Sequence, residues 1–386
     1  MNTKIYTSES VTSGHPDKVC DIIADAVLDD CLKSDSEARV ACEVMATKNK
    51  IIVSGEITSI HKPDYEKIVK DTVKQLGYEV DNLKVEVLVN SQSPDISASV
   101  AKSFEAREQN SLDENDGQGA GDQGIMYGYA CDETEELMPL SFVLAKGLTN
   151  RLTQVREQKI IDGLMPDGKS QVTVQFEDKN VKILNILVST QHKESLSLDK
   201  LREEVKKFVI DPVFKDYDLN KTQILINPSG RFVLGGYEAD TGVTGRKLQV
   251  DSYGTICRQG GGAYSGKDPS KVDRSGAYIC RYIAKNIVAA KLAKKCEVSL
   301  CYAIGKAQPL SFNVEFFGTQ TNKKHDEKTV ENLIKKLVDL RPKAIINNLN
   351  LKSPIYFQTA KVAHFGVCDY PWERLDLKDK LLNILV

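Results

Sequence analysis

The sequence predicts an α+β protein built from three similar units, each a mostly antiparallel or mixed β-sheet with helices on one face. Two observations lead to this prediction. An amphipathic helix, a β-hairpin and a second amphipathic helix occur in the same order three times along the chain, with a period of roughly 125 residues. A short strand candidate precedes each copy. The alternative is a chance recurrence of ordinary β and α patterning.

The first unit shows this order most clearly. Apolar residues recur with helical spacing from Asp17 to Asp30, Pro16 suits a first helical turn, and Gly77 ends the second helix. The predicted elements are, in order, strand 4–7, helix 17–30, strands 39–47 and 51–59, helix 65–76 and strand 83–89.

The other two units follow the same order. In the second unit the predicted elements are strand 125–130, helix 141–158, strands 171–176 and 181–189, helix 198–209 and strand 223–226. In the third unit they are strand 249–255, helix 274–295, strands 297–304 and 311–317, and helix 328–340. We place the unit boundaries at residues 1–100, 115–232 and 233–386.

A polar stretch over residues 91–124, between the first two units, has no sustained apolar period. A loop of this length in a compact protein is usually a functional lid or a disordered segment. We therefore expect a lid over about residues 92–118, which orders over bound substrates. A plain linker is the alternative.

The bulk composition restricts the class of protein. With 41% hydrophobic residues, 27% charged residues and a net charge of -2, the chain has an ordinary globular composition that argues against a surface built for nucleic acid or anionic membrane. Neither a signal peptide nor a run of about 20 apolar residues is present. We expect a cytoplasmic protein. Nine scattered cysteines without a CxxC pair indicate reduced thiols, with a zinc pair at Cys31 and Cys42 as the weaker alternative.

The segment 244–295 carries eleven lysines and arginines against three aspartates, a local charge of +8 in a chain whose total is -2. Its motifs TGRK, GGGAYSGKDPSK and VDRSGAY combine glycines, whose backbone amides can approach a ligand, with lysines that neutralise phosphate oxygens. Neither a Walker A loop nor a Rossmann fingerprint is present. The segment indicates a phosphate site, with a flexible basic surface turn as the alternative.

The motif GHPDK at residues 14–18 places an imidazole, a carboxylate and an ammonium at a helix N-terminus, where the helix dipole favours anions. These groups can hold a metal–phosphate complex. Equally, Pro16 and Asp17 are ordinary first-turn residues. Asp21 and Asp25 continue Asp17 at helical spacing, and we interpret that stripe as a solvated face.

Other motifs supply isolated polar groups. GAGDQG at residues 119–124 brackets an acid with glycines, and PDGKSQVTVQF at residues 166–176 brings Lys169 to the start of a strand. INPSGRF at residues 226–232 adds an arginine and a phenylalanine after another strand. GAGDQG could equally be a turn, and Glu43 and Glu56 on the first hairpin could be buried carboxylates or could point outward.

Together these motifs resemble the S-adenosylmethionine synthetases, also called methionine adenosyltransferases. The matches run in the family's order from residue 8 to about residue 372: GHPDK, GEIT, QSPDI, GAGDQG, DGKSQVT, STQH, NPSGRF, TGRK, GGGAYSGKDPSKVDRS and HFG. The resemblance implies three pseudo-threefold-related α+β units and a homodimer with active sites in the subunit interface, usually paired into a tetramer. It also implies that ATP, L-methionine and water give S-adenosylmethionine, phosphate and diphosphate, with two Mg²⁺ per active site and K⁺.

The same resemblance implies the roles of individual residues. The catalytic positions are His15, Lys169, Arg246, Lys267 and Lys271. The ATP-binding positions are His15, Asp167, Gly168, Lys169, Arg231, Phe232, Asp240, Arg246, Lys247, Ala263 and Lys267. The methionine-binding positions are Glu56, Gln92, Asp122, Asp240 and Lys271, and the metal ligands are Asp17 and Asp273 for Mg²⁺ and Glu43 for K⁺.

The sequence departs from the family pattern near the predicted lid. Ser91 stands where lysine is common, Gly168 replaces a frequent alanine, and the segment 97–119 is several residues longer than usual. These changes bear on closure of the lid and hence on product release.

Two rival functions are weaker. A kinase or nucleotidyl transferase would release ADP or AMP and would carry a Walker or kinase motif set, which the sequence lacks. A catalytically inactive regulatory subunit would have lost charged groups from the motifs, whereas His15, Asp17, Lys169, Arg246, Lys267 and Asp273 are all in place.

Overall fold

The protein is described by a computed structural model that covers residues 3–94, 102–177, 180–322 and 324–385. These residues form three β-sheets packed with helices, which confirms the predicted α+β class and its three units. The first unit contains β1 (Thr3–Val11), α1 (Pro16–Ser34), β2 (Arg39–Thr47), β3 (Lys50–Thr58), α2 (Tyr65–Gln75) and β4 (Lys84–Asn90).

The remaining elements follow in the predicted order. The linker and second unit contain α3 (Phe104–Glu108), β5 (Gly124–Cys131), α4 (Leu140–Glu157), β6 (Leu164–Glu177), β7 (Asn180–His192), α5 (Leu198–Val205), the π-helical turn Lys206–Ile210, α6 (Asp211–Val213) and β8 (Gln223–Ile226). The third unit contains β9 (Gly242–Val243), α7 (Leu248–Asp251), α8 (Val272–Ala289), β10 (Lys295–Tyr302), β11 (Ser311–Glu315), α9 (Glu327–Leu337), α10 (Pro342–Asn348), α11 (Tyr356–Lys361) and α12 (Asp376–Leu385).

Each sheet takes one strand from another unit. β1 of the first unit pairs with β6 of the second, β5 of the second pairs with β10 of the third, and β9 of the third pairs with β2 of the first, all antiparallel. The resulting strand orders are β1-β6-β7-β8, β11-β10-β5 and β4-β3-β2-β9. Main-chain hydrogen bonds therefore join the three units in a ring, and no unit completes its sheet alone.

One strand and one helix end in the third unit differ from the prediction. The predicted strand 249–255 is wrong: residues 248–251 form the helical turn α7, and residues 250–254 are all buried, without the alternation of a half-buried strand. The two-residue strand β9 takes its place. The predicted helix 274–295 ends at Ala289, and Lys291 at a φ of 57° then turns the chain into β10.

Helix α1 begins at the GHPDK motif, whose residues cap it. The His15 imidazole accepts a hydrogen bond from the Asp17 N–H (3.2 Å), and Pro16 occupies the first turn, where no N–H is required. The apolar residues Val19, Ile22 and Ile23 are fully buried in the largest hydrophobic cluster of the described chain.

A second face of α1 carries four buried aspartates spaced four residues apart: Asp17, Asp21, Asp25 and Asp29. Every one of them accepts backbone N–H groups of the third unit. The donors are, in the same order, Val243 (3.0 Å), Gly245 (2.8 Å), Gly266 (2.8 Å), and Tyr356 (3.0 Å) together with Phe357 (2.8 Å). The interpretation of Asp21 and Asp25 as a solvated face is therefore wrong, and we call these four residues the aspartate stripe.

Asp25 also forms a buried ion pair. Its carboxylate accepts two bonds from the Arg274 guanidinium (2.9 and 2.7 Å), and both side chains are fully buried. Arg274 donates further to the Lys267 carbonyl (3.0 Å) and lies over the Tyr356 ring at 4.4 Å. This ion pair thus holds α11 and the loop of residues 260–271 on α1. We call residues 260–271 the glycine-lysine loop.

The second half of the predicted lid is docked on the third unit. The buried Glu105 carboxylate accepts the N–H groups of Ala307 (2.8 Å) and Gln308 (3.2 Å). Arg341 pairs with Asp113 (2.9 Å) and Asp116 (2.8 Å). Residues 103–117 of the predicted lid are therefore anchored in this structure, and residues 95–101 lie outside the described residues. Ordering of the segment over bound substrates stays a prediction.

We predict that Asp25→Asn lowers the free energy of unfolding by about 3–5 kcal/mol, because it leaves the buried Arg274 guanidinium without its counter-charge. Urea denaturation followed by circular dichroism would measure the change. The matched control is Glu66→Gln, which breaks an exposed i,i+4 pair with Lys70 and should cost under about 0.5 kcal/mol. Equal stability of the two variants would contradict the assignment.

Candidate active site

A first cluster of charged side chains surrounds the N-terminus of α1. Lys247 Nζ lies 2.6 Å from Asp17 Oδ2, and Arg246 Nε lies 3.6 Å from Asp17 Oδ1. Burial opposes ionisation of Asp17, but the hydrogen bonds from Lys247 and from the Val243 N–H hold the pKa of its carboxyl below the ordinary value. Asp17 therefore remains a carboxylate with two cations beside it.

His15 in this cluster is a neutral hydrogen-bond donor. Burial, reinforced by the nearby charges of Lys247 and Lys169, lowers the pKa of the imidazole to about 3. Its Nδ1 accepts the Asp17 N–H, so the single ring proton sits on Nε2. His15 can thus donate to an acceptor without carrying charge.

Strand β6 brings Lys169 to the same place. Lys169 faces Val11 across the β1–β6 pairing, two residues after Asp167 and directly after Gly168. The Gly168 carbonyl accepts the Thr12 N–H (2.9 Å), which fixes β6 beside the segment that precedes His15. The Asp167 carboxylate accepts the Gly236 N–H (2.8 Å), and burial raises its pKa to about 6. We use the name histidine cluster for His15, Asp17, Asp167, Gly168, Lys169, Arg246 and Lys247.

A second cluster forms where the glycine-lysine loop enters α8. Lys267 Nζ lies 2.6 Å from Asp273 Oδ2, and Lys271 pairs with the buried Asp268. Asp268 also accepts the Val40 N–H (2.7 Å), which ties this loop to β2. Ala263 lies in the same loop. We call Ala263, Lys267, Lys271 and Asp273 the lysine cluster.

The two clusters occupy separate places in one chain. Asp17 lies in the first and Asp25 holds the loop of the second, and eight residues of α-helix span about 12 Å. The β-pairing agrees, because Val243 pairs with Met45 and Lys267 with Ala41, four strand residues apart, or about 13 Å. The sequence did not predict this division.

Glycines of the TGRK segment and of the glycine-lysine loop stabilise the fold. Gly245 and Gly266 have φ of 77° and 78°, a left-handed conformation that other residues rarely adopt. Their N–H groups donate to Asp21 and Asp25. The glycine amides expected to approach a ligand are thus partly used by the protein's own carboxylates, and each glycine directly precedes a candidate cation, Arg246 or Lys267.

The other predicted site residues lie nearer the surface. Arg231 is exposed and pairs with Glu194, while Phe232 is half-buried and donates its N–H to His192 Nε2 (3.2 Å). The predicted methionine and potassium positions on the surface are Glu43, Glu56, Asp122 and Asp240, which are exposed, and Gln92, which is half-buried. Within the described part of the chain, no hydrogen bond links these surface residues to either cluster.

Sequence reasoning missed the residues beneath the histidine cluster. Lys18 is buried and pairs with Asp21 (3.2 Å) and with Asp251. Burial raises the pKa of Asp21 to about 7. One sequence feature could have indicated this burial: aspartate recurs every four residues on a helix whose other face is apolar. A solvated face would show mixed polar residues instead.

Three family models match this chain, and together they span most of it. They describe the N-terminal domain of S-adenosylmethionine synthetase at residues 3–100, the central domain at residues 117–232 and the C-terminal domain at residues 234–374. The chain therefore belongs to the S-adenosylmethionine synthetase family, a family of transferases. Its reaction is that of a methionine adenosyltransferase, which forms S-adenosylmethionine from ATP and methionine.

Among the described residues, no helix is both long and apolar enough to cross a bilayer.

We predict that the His15 ring remains neutral, with its proton on Nε2, from pH 8 down to about pH 4, because its pKa is lowered to about 3. Nitrogen-15 chemical shifts of the ring would show both charge and tautomer, and His15→Gln would assign the signal. Between the unfolded pKa near 6.5 and the folded value the unfolded chain binds more protons, so acidification through this range destabilises the fold. Titration of the ring near pH 6.5 would contradict this description.

Proposed function

We propose that the histidine cluster binds the triphosphate of ATP and that the methionine sulfur attacks ribose C5′, with tripolyphosphate as the leaving group. The observation that supports this most strongly is the neutral His15 donor flanked by Lys169, Arg246 and Lys247. A thioether sulfur carries no proton, so the nucleophile needs no general base. A neutral histidine suits a step in which charge, not proton transfer, is the difficulty.

The leaving group determines which residues matter. Tripolyphosphate gains negative charge while the sulfur becomes a sulfonium, so fixed cations and donors around the phosphates lower the barrier. Lys169, Arg246, Lys247, Lys267 and Lys271 are the cations we assign to this role, and they then assist hydrolysis to phosphate and diphosphate. His15 Nε2–H donates to an oxygen near the bond that breaks.

The surface positions would complete the substrate pockets. We assign Asp167, Gly168, Arg231, Phe232, Asp240 and Ala263 to the nucleotide. We assign Glu56, Gln92, Asp122, Asp240 and Lys271 to methionine. Arg231, Asp240, Glu56 and Asp122 are exposed, which suits residues that meet a ligand or a second chain, whereas Asp167 and Gly168 are buried beside His15.

Metal ions are used generally in this family, and we propose Mg²⁺ at Asp17 and Asp273. Among the described residues, no group of three or more His, Cys, Asp or Glu side chains could hold a metal by itself. Mg²⁺ suits such a donor set, since it is commonly bound by one or two carboxylates together with substrate phosphates. The ions, two per site, would neutralise phosphate oxygens, and Glu43 on β2 would contribute to a K⁺ site.

The separation of the clusters supports an active site shared by two chains. A ligand that must contact both Lys169 and Lys267 would have to span roughly the 12 Å of helix that separates Asp17 from Asp25. In a twofold dimer, the histidine cluster of one protomer can face the lysine cluster of its partner. We propose this arrangement, with pairing of dimers into a tetramer as a further step, in the cytoplasm.

We predict that Lys169→Met and Arg246→Leu each lower kcat by roughly 10²-fold or more, the effect of losing one well-placed electrostatic stabiliser. Steady-state assays of S-adenosylmethionine formation by mass spectrometry would measure it. Lys200→Met, which removes an exposed lysine of α5, serves as the control and should leave kcat unchanged. Near-normal turnover in both active-site variants would refute the assignment.

A complementation experiment tests the shared site. Lys169→Met and Lys267→Met would be co-expressed with different tags, and the mixed dimer purified. If each site takes one cluster from each chain, one site carries both substitutions and the other carries none, so the mixed dimer should recover about half of wild-type activity. Activity no higher than that of the single variants would show that one chain supplies the whole site.

A further inference from the structure

A cavity of about 210 Å³ lies beside the residues that precede the GHPDK segment, and no residue of the histidine cluster is among its lining residues. Residues 11–13, one face of α4 and the end of α11 line it. This volume far exceeds the space that a single water molecule needs. The cavity is therefore large enough for a polyatomic ion.

Lys146 lies at the wall of this cavity without a counter-charge. Three lysines are buried in the described part of the chain: Lys18, Lys146 and Lys285. Lys18 pairs with Asp21 and Asp251, and Lys285 pairs with Glu373. Lys146 is 9% exposed and forms no ion pair among the described residues, and its Nζ is not one of the fully buried atoms that lack a partner, so the ammonium retains contact with solvent. A nearly buried ammonium without a counter-charge favours an anion beside it.

A second polar group of the cavity is also unsatisfied. The Ser13 Oγ is buried and has no hydrogen-bond partner among the described residues. The neighbouring hydroxyls differ, since Thr12 donates to the Pro166 carbonyl (2.7 Å) and Thr149 bonds Ser10 (2.9 Å). Ser13 is thus free to donate to a ligand.

The other charges around the cavity favour an anion near Lys146. Lys361, half-buried at the end of α11, adds a second ammonium to the lining. The single lining acid is Glu157, which follows Lys146 by eleven residues along α4, a distance of about 16 Å. Glu157 also has Arg156 as a partner at 3.6 Å. The buried Asp251 nearby is already bonded to Lys18.

We propose that this cavity binds a phosphate oxyanion, held by Lys146, Lys361 and the Ser13 hydroxyl. A tetrahedral oxyanion accepts several hydrogen bonds at once, which matches two ammonium groups and a hydroxyl. Ser13 precedes His15 by two residues, so an ion bound here contacts the segment that positions the His15 ring. Phosphate and diphosphate are products of the proposed reaction. A role of this cavity in product control of turnover therefore rests on the proposed function, whereas the binding of a phosphate oxyanion to the cavity is independent of that function.

The experiment is isothermal titration with inorganic phosphate and, separately, with diphosphate, in a chloride buffer at fixed ionic strength. Lys169→Met serves as the background, because it weakens anion binding at the histidine cluster. Any anion binding that remains at the other active-site cations is common to all variants in this background, so the cavity site is measured as the difference that a second substitution makes. Adding Lys146→Met should weaken that site roughly tenfold or more, the loss of one charge-assisted hydrogen bond. Adding Lys200→Met should change nothing. The tighter of the two anions identifies the natural source.

Two further variants keep the test decisive if Lys146→Met folds poorly. Lys361→Met and Ser13→Ala change partly exposed or small side chains and should each weaken the same site. Lys146→Met should also raise the free energy of unfolding in phosphate-free buffer, because it removes an unpaired buried charge. Unchanged anion affinity in all three variants, or no anion site in the Lys169→Met background, would overturn the proposal, whatever the turnover numbers show.

Discussion

The hydrogen bonds between the aspartate stripe of α1 and the backbone of the third unit determine where the candidate catalytic cations lie. Asp21 and Asp25 hold Gly245 and Gly266, and the next residue in each case is Arg246 or Lys267. Charge-assisted bonds of this kind contribute about 1.5–3 kcal/mol each. A carboxylate on a rigid helix thereby sets the backbone from which each cation projects, while the side chain itself remains free to meet a ligand.

Four of the five candidate cations are paired with carboxylates before any substrate binds, and Lys169 is the exception among the described ion pairs. Lys247 is paired with Asp17 and Lys267 with Asp273, both at 2.6 Å. Such pairs keep neighbouring positive charges from repelling one another, as an unpaired cluster would. Under the proposed mechanism, these cations exchange their carboxylate partners for phosphate oxygens when the substrate arrives. Substrate binding therefore does not have to order the cations first.

Much of this architecture was predictable from the sequence, because helical and strand periodicities fixed most elements to within a few residues. The GHPDK motif also placed His15 and Asp17 at the start of a helix, as found, and Lys169 was expected at the start of a strand and lies within β6. What failed depended on partners distant in sequence. The aspartate stripe looked solvated because its partners lie more than 200 residues away, and β9 is too short to show a strand pattern. Similarly, the division into two clusters follows from the pairing of β2 with the third unit, which no local pattern records.

The ring of borrowed strands has a consequence for the protein during its synthesis. One edge of β2 is covered only by residues 242–243 and by the loop that reaches Asp268. At 5–20 residues per second, a ribosome needs on the order of ten seconds or more to make that stretch after β2 emerges. During this interval the nascent chain presents an unpaired strand edge, a template for aggregation. Chaperone contact with the early chain would be one way to shield it.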